Sequence, residues 1–521
     1  MPAQSERIES PGNHSGVRIT PRVIVSKSPT SGEVLGEVQV ATPLQIRDAL
    51  AEARLSQPAW EGIGLGRRLR FIRSLRDALY RRREQIVDTL VAEQGKVRYE
   101  VMLEYLATIE LVDYYLREAR HILAPEAVPV RLVPHRLHRI ERRPFGVVLV
   151  ISPWNYPLFL ALNPVVAALL AGNTVLLKPS EYATQVGELI AALLQEAGIP
   201  REVFHILHGY GDVGASLVEA HPDRIVFTGS VAVGKQVTLA AAENLIPVTL
   251  ELGGKDAAIV LDDADIDRAA RGIVWSGMFN AGQTCAGVER VVVERKVADR
   301  LLEAMKGVVE RYLAAGDRLP GGYLAAITTA PQMDVDEQPV REAVLQGARV
   351  VVGGQRLGVN GQYFAPTILT DVTPQMKVAR EETFGPVIAV MPVADEQEAI
   401  RYTNDTPYGL TASIWTRNRA RGLRLACHLR VGNISLNEHL LISGIPEMPW
   451  GGVKESGYGR TQGREGLLSM TYAQTINMDR FRLPLEVFWY SYSPLKNSLV
   501  NRAIHLLYGP GLRDRLRALW P

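Results

Sequence analysis

The stretch GVVLVIS (146–152) decides the fold, because it is a short run of mostly β-branched, apolar residues. Three similar runs follow it: TVLLK (174–178), VFHIL (203–207) and RIVFTG (224–229). The segments between these runs are rich in Ala and Leu and are long enough for helices. A strand, helix, strand repeat of this kind predicts a parallel, doubly wound sheet.

A second series of apolar runs indicates another sheet of the same kind. Its members are AAIVL (257–261), VERVVVE (288–294), ARVVVGG (348–354), PVIAVMPV (386–393) and GNISLN (432–437). A chain of 521 residues is also too long for one hydrophobic core. We therefore predict two α/β domains in tandem.

The overall charge argues against nucleic acid as a partner. The chain has 58 basic and 56 acidic residues, a net charge of +2, which gives no large positive field. Arginines are frequent at residues 66–90, but apolar residues recur there at helical spacing, so we expect a solvated helix face.

The cysteine content and the apolar pattern indicate the setting of the protein. Two cysteines are too few for a disulfide scaffold, which favours a reducing environment. The N-terminal residues lack the apolar segment of a signal peptide, and no apolar run has the length of a membrane span. We expect a cytoplasmic protein.

Two strand ends carry residues suited to a nucleotide. LLKPSE places Lys178, Ser180 and Glu181 at the carboxyl edge of a sheet, where a carboxylate and an amine can bind ribose hydroxyls. The alternative is a helix start capped by Ser180. VFTGSVAVGK places Gly229 and Ser230 at a strand-to-helix turn that can bind a pyrophosphate, although a plain tight turn fits equally well because the GxGxxG spacing is missing.

Two other strand ends carry residues suited to catalysis. Glu251 ends an apolar strand in PVTLELGGK, and a carboxyl in such surroundings has a raised pKa and is a usable general base. A buried, hydrogen-bonded glutamate is the alternative. Asn155 in SPWNYP can donate to a developing oxyanion, or it can serve a turn beside Pro153 and Pro157.

Cys285 in GQTCAG is a nucleophile, an inert buried residue or a metal ligand. Zinc is disfavoured because neither a second cysteine nor clustered histidines lie at ligand spacing. A Cys/His hydrolase stays open, since the chain has ten histidines.

The motifs taken together resemble the NAD(P)-dependent aldehyde dehydrogenase superfamily. In chain order they are PWN, KPSE, FTGS, ELGGK, GQTC, EETFGPV and PWGGVKESGYGR, and the resemblance covers residues from about 24 to about 480. Glu251 and Cys285 are 34 positions apart, as the base and the nucleophile of that family are.

The resemblance implies a role for each motif residue. Cys285 would be the nucleophile and Glu251 the general base, and Asn155 would share the oxyanion hole with the Cys285 backbone N–H. The remaining residues would bind the cofactor or line the substrate tunnel. Lys178, Ser180 and Glu181 would hold the adenosine ribose, Gly229 and Ser230 the pyrophosphate, Glu382 the nicotinamide ribose, Trp154 and Phe384 the cofactor cleft, and Tyr156 and Trp450 the tunnel.

The implied reaction is oxidation of an aldehyde to the acid through a cysteine thiohemiacetal and a thioester, which Glu251-activated water hydrolyses. Glu181 favours NAD, with NADP as a second cofactor. We expect an aliphatic or aromatic aldehyde, with a semialdehyde as the alternative. A type that transfers the acyl group to coenzyme A is disfavoured because it needs no general base. No metal is implied.

The resemblance also implies a domain order. The fold would contain two doubly wound Rossmann-like domains and a small β flap through which homodimers or homotetramers form. The expected parts are a flexible leader (1–22), a cofactor domain (23–121 and 146–252, returning at 440–465), a catalytic domain (253–439), the flap (122–145 and 466–480) and a C-terminal extension (481–521). We expect this extension to pack on the enzyme; attachment to a membrane surface is the alternative, because it is basic and rich in aromatic residues.

Overall fold

The computed structural model describes residues 23–313, 323–357, 362–482, 486 and 488–516. The predicted leader and the last residues of the extension lie outside these ranges. The described residues form two compact units. Of the described residues, the larger unit contains those up to Ala124 and those within Arg142–Tyr472, and the smaller contains Pro125–Glu141 and those from Ala473 onward.

The strands of the described residues are, in chain order, β1 (Val23–Lys27), β2 (Val34–Gln39), β3 (Glu126–Ala127), β4 (Arg136–Pro144), β5 (Val147–Ile151), β6 (Thr174–Lys178), β7 (Phe204–Ile206), β8 (Arg224–Thr228), β9 (Val248–Glu251), β10 (Asp256–Val260), β11 (Val288–Glu294), β12 (Arg349–Val352), β13 (Thr367–Thr370), β14 (Val387–Val393), β15 (Thr411–Trp415), β16 (Asn433–Leu436), β17 (Gly457–Tyr458) and β18 (Thr471–Asp479).

The α-helices of these residues are α1 (Pro43–Gly62), α2 (Leu65–Arg81), α3 (Arg83–Gln94), α4 (Arg98–Ile122), α5 (Pro157–Ala171), α6 (Thr184–Glu196), α7 (Gly211–Glu219), α8 (Val231–Ala242), α9 (Ile266–Met278), α10 (Arg295–Tyr312), α11 (Ala330–Leu345), α12 (Lys377–Arg380), α13 (Glu396–Asn404), α14 (Arg419–Ala426), α15 (Gly463–Leu468), α16 (Pro494–Tyr508) and α17 (Leu512–Leu516).

The first sheet confirms the predicted doubly wound domain. Its strand order is β17-β9-β8-β5-β6-β7, and all its pairs are parallel except β17 with β9. Helix α5 crosses between β5 and β6 and is almost entirely buried, which explains its apolar composition. Pro157 at its first turn and Gly172, left-handed at its end, fix where this helix starts and stops.

The second sheet confirms the second α/β domain. Its order is β12-β13-β14-β11-β10-β15-β16, and only β12 runs antiparallel to its neighbour. The sequence did not predict β13 or β15. Their sequences, TILT and TASIW, mix Thr and Ser with apolar residues and are nevertheless buried throughout.

The antiparallel sheet β18-β4-β3 contains residues from both segments assigned to the flap, 122–145 and 466–480. Its strands β18 and β4 are largely exposed or half-buried. Among the described residues, no helix combines the length and the hydropathy that crossing a membrane requires.

The prediction of a solvated arginine face is wrong for Arg68. Its guanidinium is buried and donates to the carbonyls of Leu170, Trp60 and Glu61 at 3.1, 3.3 and 2.8 Å. These carbonyl groups belong to the last turns of α5 and α1. Carbonyl groups in the last turn of a helix have no hydrogen-bond partner within that helix. Arg68 therefore joins the ends of two helices, a role that helical spacing alone does not reveal.

A buried ion pair connects the two central strands of the second sheet to a loop. Lys255 directly precedes β10 and donates to Glu289 in β11; both side chains are buried. Lys255 also donates to the Thr383 hydroxyl at 3.0 Å, and Glu289 accepts from the backbone N–H groups of Thr383 and Phe384, both at 2.9 Å. The pair thus fixes the loop that contains EETFGPV.

Replacing Lys255 with Met tests this pair. We expect Lys255→Met to lower the free energy of unfolding by about 3–5 kcal/mol, because it leaves the Glu289 charge buried without its partner. Urea titration followed by tryptophan fluorescence measures the change. The double variant Lys255→Met/Glu289→Gln should recover most of the loss, since a neutral amide oxygen still accepts from the loop. Equal stability of the two variants would contradict this account.

Candidate active site

Cys285 lies in a sharply turned loop between α9 and β11. The turn Phe279–Gly282 contains two non-glycine residues with positive φ, Asn280 and Ala281. Gly282 also has a positive φ, and a Cβ at this position would overlap the Gly385 carbonyl. This close approach brings the Cys285 loop against the EETFGPV loop, and the Cys285 side chain is half-buried.

Hydrogen bonds tie the Asn155 loop to the Cys285 loop. Asn155 Nδ2 donates to the Gln283 carbonyl at 3.1 Å, and Asn280 Nδ2 donates to the carbonyls of Asn155 and Gln283, both at 3.2 Å. The hydroxyls of Tyr156 and Thr284 lie 2.7 Å apart. The structure therefore brings the Asn155 amide to the backbone just before Cys285.

A second buried ion pair supports the Asn155 loop, and the sequence did not predict it. Glu104 Oε1 accepts from the backbone N–H groups of Leu158 and Phe159 at the start of α5, at 3.0 and 3.3 Å. Lys96 Nζ donates to Glu104 Oε2 at 2.6 Å and lies 4.0 Å from the centre of the Tyr156 ring. Glu104 shares the buried face of α4 with apolar residues, so its position in the helical period was the available signal.

Glu251 ends β9 with a buried carboxyl. Burial raises the pKa of Glu251 well above its usual range, while the Arg460 charge and a hydrogen bond from Trp450 act in the opposite direction. Its Oε1 atom has no hydrogen-bond partner among the described residues. A buried glutamate with a spare oxygen can accept a proton from water or from a thiol.

Burial also raises the pKa of the Cys285 thiol, and the nearby carboxyls of Glu251, Glu382 and Asp256 raise it further. The backbone N–H of Ala286 acts in the opposite direction. The resting thiol is therefore protonated at neutral pH, and a reaction at its sulfur requires a group that takes the proton.

The EETFGPV loop holds Glu382 near Cys285 and Phe384 against Trp154. Glu382 Oε1 accepts from the Gly254 N–H at 2.9 Å, and burial, followed by the Glu289 charge, raises the pKa of Glu382 to about 8. The rings of Trp154 and Phe384 are perpendicular, with centroids 5.6 Å apart. The structure brings these three predicted residues together.

The remaining predicted cofactor residues follow the parallel strands β6 and β8. The register pairs Ile151 with both Lys178 and Phe227, so these strands end at one edge. Lys178 Nζ lies 3.7 Å from Glu181 Oε2. Ser180 accepts from the N–H of Tyr182 at 3.3 Å, as in a capped turn.

The turn after β8 presents a helix start at the same edge. Gly229 donates its N–H to the Glu251 carbonyl at 3.0 Å, and Ser230 caps α8 by accepting from the Val233 N–H at 3.4 Å. A Cβ on Gly229 would contact the Phe227 ring at 2.7 Å. A helix start, the buried Lys178 amine and the Glu181 carboxylate at one sheet edge fit a phosphate and a ribose of a dinucleotide.

Cys285 lines an apolar cavity of about 620 Å³. Most of the wall is aromatic or aliphatic, and the rings of Tyr156 and Phe279 stack with centroids 6.4 Å apart. The apolar wall residues are Leu103, Leu106, Ala107, Tyr156, Phe159, Leu160, Trp275, Phe279, Ala286, Leu440, Leu441, Ile445, Pro446 and Trp450. Three of the described lining residues are charged, namely Glu104, Glu110 and Glu447, and all three are acidic.

Comparison with known proteins gives the family. The model of the aldehyde dehydrogenase family matches residues 19–476. The chain is 39% identical to 4,4'-diapolycopene aldehyde oxidase of Methylomonas sp, covering 93% of this chain and 91% of the relative. It is 36% identical to a protein of Mycobacterium ulcerans named succinate-semialdehyde dehydrogenase (NADP(+)) 2, covering 86% of each chain.

A solved structure agrees with these relatives. The NAD-dependent aldehyde dehydrogenase of Sinorhizobium meliloti superposes with a TM-score of 0.85 at 34% identity, covering 90% of this chain and 93% of that one. The chain therefore belongs to the aldehyde dehydrogenase family and is an NAD(P)-dependent oxidoreductase that acts on an aldehyde.

Proposed function

We propose that this aldehyde dehydrogenase oxidises an uncharged, apolar aldehyde to its carboxylic acid, with Cys285 as the nucleophile. One observation carries the proposal: Cys285 lines a cavity with apolar walls and no basic residue among its described lining. A substrate carbonyl in this cavity can reach the sulfur, and the rest of the substrate exchanges water for hydrocarbon contacts.

The first step needs a proton acceptor, because the Cys285 thiol has a raised pKa. We infer that Glu251, in its carboxylate form, takes the thiol proton directly or through one water. The sulfur then bonds to the aldehyde carbon, and the carbonyl π electrons move to the oxygen. This transfer leaves a neutral carboxyl in an apolar environment, where a glutamate of raised pKa is stable.

Asn155 is proposed to stabilise the resulting oxyanion together with the Cys285 backbone N–H. Its amide nitrogen already donates to the Gln283 carbonyl at 3.1 Å, which fixes its orientation and leaves its second hydrogen for the substrate. Such a preorganised donor contributes about 3 kcal/mol to transition-state stabilisation.

The strand-end residues are proposed to hold the dinucleotide. Lys178, Ser180 and Glu181 would bind the adenosine ribose, Gly229 and Ser230 the pyrophosphate at the α8 start, and Glu382 the nicotinamide ribose, with Trp154 and Phe384 beside the nicotinamide. The bound cofactor supplies the hydride acceptor. Glu181 disfavours a 2′-phosphate while Lys178 favours one, so use of both cofactors is consistent with this edge.

Hydrolysis of the thioester completes the proposed cycle. Once the thiol proton has passed from Glu251 to solvent, the carboxylate takes a proton from water, the hydroxide attacks the acyl carbon, and the carbon–sulfur bond breaks to release the acid. The thiolate of Cys285 is thereby regenerated. A type that passes the acyl group to coenzyme A does not need this base, so the buried Glu251 favours hydrolysis.

A semialdehyde is the second candidate substrate, because several relatives are named succinate-semialdehyde dehydrogenases. Its carboxylate would enter a cavity whose described charged residues are all acidic. Arg117 is the cation beside Glu110 and Glu447, but it is shared between those two residues and Asp113. The cavity therefore favours the apolar aldehyde.

We further propose the domain roles that the resemblance implies, with the cofactor domain at 23–121 and 146–252 and the catalytic domain at 253–439. The flap would join subunits into a homodimer or a homotetramer. Strand β18 supports this, because it is an edge strand of nine residues that can pair with its own copy. We also propose a cytoplasmic location, because the low cysteine content favours a reducing environment.

The nucleophile can be tested in a single-thiol protein, because the chain has two cysteines. In Cys427→Ser, iodoacetamide should abolish activity, and the alkylation rate should rise as the pH increases, since the pKa of Cys285 is raised. Adding Cys285→Ala should lower kcat by about 10⁴-fold or more. Activity that survives complete alkylation of Cys427→Ser would exclude the proposed role.

The base can be tested with Glu251→Gln. In the native enzyme, kcat should rise with pH as the buried carboxyl of raised pKa becomes ionised. At alkaline pH, where the ionised fraction of the thiol is larger, Glu251→Gln should release one equivalent of reduced cofactor per active site in a burst and then stall as acyl-enzyme. After the excess aldehyde is removed, hydroxylamine should cleave the thioester and release about one equivalent of hydroxamate per active site. Steady turnover without a burst would show that another group activates water.

The substrate class can be tested with straight-chain aldehydes. Since each buried CH₂ contributes about 0.8 kcal/mol, kcat/KM should rise about fourfold per added carbon until the cavity is filled. Succinate semialdehyde should react more slowly than butanal, which has the same number of carbons. Glu447→Lys should narrow that difference, whereas Glu303→Lys on the exposed side of α10 should not. A preference of the native enzyme for the semialdehyde would refute the apolar assignment.

A further inference from the structure

The C-terminal residues 488–516 carry an unusual concentration of exposed apolar side chains. Helices α16 and α17 contain no buried residue. Twelve large apolar side chains in these 29 residues are exposed, among them Trp489 at 57%, Leu495 at 69% and Leu512 at 75%. Such a concentration of exposed apolar side chains on a folded chain indicates an interaction site. We call residues 488–516 the tail surface.

Polar contacts hold the tail surface in place within the smaller unit. Lys496 Nζ donates to the Trp489 carbonyl at 2.6 Å and to the Glu486 carbonyl at 3.3 Å. Arg136 donates to the Glu486 carboxylate at 3.0 Å, and Arg131 donates to the Leu507 carbonyl at 3.2 Å. The segment is thus ordered by its backbone and its charged groups, and the apolar side chains are left for another partner.

The charges of the tail surface have one predominant sign. Its basic residues are Lys496, Arg502, Arg513 and Arg515, and its acidic residue is Asp514. The apolar side chains include Trp489, Tyr490, Tyr492 and Tyr508, whose amphipathic rings favour the boundary between lipid headgroups and acyl chains. Basic residues beside such rings match the headgroups of an anionic bilayer.

We propose that the tail surface docks onto an anionic lipid bilayer. Helix α16 has 15 residues, fewer than the about 20 needed to cross the hydrocarbon core, so it lies in the plane of the interface. A second copy of the chain fits less well. A two-fold contact would bring together two surfaces of the same positive net charge, which repel one another.

The test uses the full-length protein and sedimentation with vesicles. Vesicles of phosphatidylcholine with phosphatidylserine should bind the native protein at least about tenfold more tightly than pure phosphatidylcholine vesicles. Trp489→Ser/Leu499→Ser/Ile504→Ser should lose most of this binding. A control, Leu55→Ser/Leu245→Ser/Leu345→Ser, removes three apolar side chains elsewhere that are even more exposed, and it should bind normally. Turnover of a short, water-soluble aldehyde should be unchanged in both triple variants, which shows that they fold.

Three results would overturn the proposal. The first is the absence of sedimentation with either vesicle. The second is equal binding to neutral and anionic vesicles. The third is a fall in the solution mass of the Trp489 triple variant, measured by light scattering, without any vesicle binding by the native protein; the tail surface would then be a contact between subunits.

Discussion

The hydrogen bonds between the Asn155 loop and the Cys285 loop are the constraint on which the rest of the site depends. They fix an amide donor and a thiol that come from different sheets and from distant parts of the chain. Oxyanion stabilisation requires donors placed within a few tenths of an ångström before the reaction starts. The two α/β domains supply the strand ends that these loops extend, and the loop contacts convert that scaffold into a site.

Two buried ion pairs support this arrangement. Their role is to position the loops of the site and not to add net stability. Lys96–Glu104 holds the start of α5 behind Tyr156, and Lys255–Glu289 holds the backbone at Thr383 and Phe384. Burying charges costs free energy, and each pair offsets this cost with several hydrogen bonds. The carboxyls around Cys285 affect reactivity instead of position. They raise the pKa of the thiol, so that its reaction depends on proton transfer.

Local sequence predicted most strands and the positions of Lys178 and Glu251 at strand ends, because continuous β-branched runs and strand-end positions are local properties. It missed β13 and β15, because their Thr and Ser residues interrupt the apolar pattern that is typical of buried strands. It also missed Arg68 and both ion pairs, because a pairing such as Lys255 with Glu289 is defined only once strands become neighbours. Of the aromatic and aliphatic residues that line the cavity, only Tyr156 and Trp450 were predicted as tunnel residues. The others come from several distant segments of the chain, which local sequence does not bring together.

The contact between Gly282 and the Gly385 carbonyl has a consequence for the history of this enzyme. The Cys285 loop and the EETFGPV loop approach each other through backbone atoms. Substitution of a side chain therefore cannot alter the spacing of the two loops at this point. Leu103, Leu106 and Ile445, by contrast, line the cavity with side chains that substitution can change. Mutation can therefore change which aldehydes the cavity accepts while the arrangement of the two loops is inherited unchanged. New substrate specificities can evolve in this way without a change of reaction.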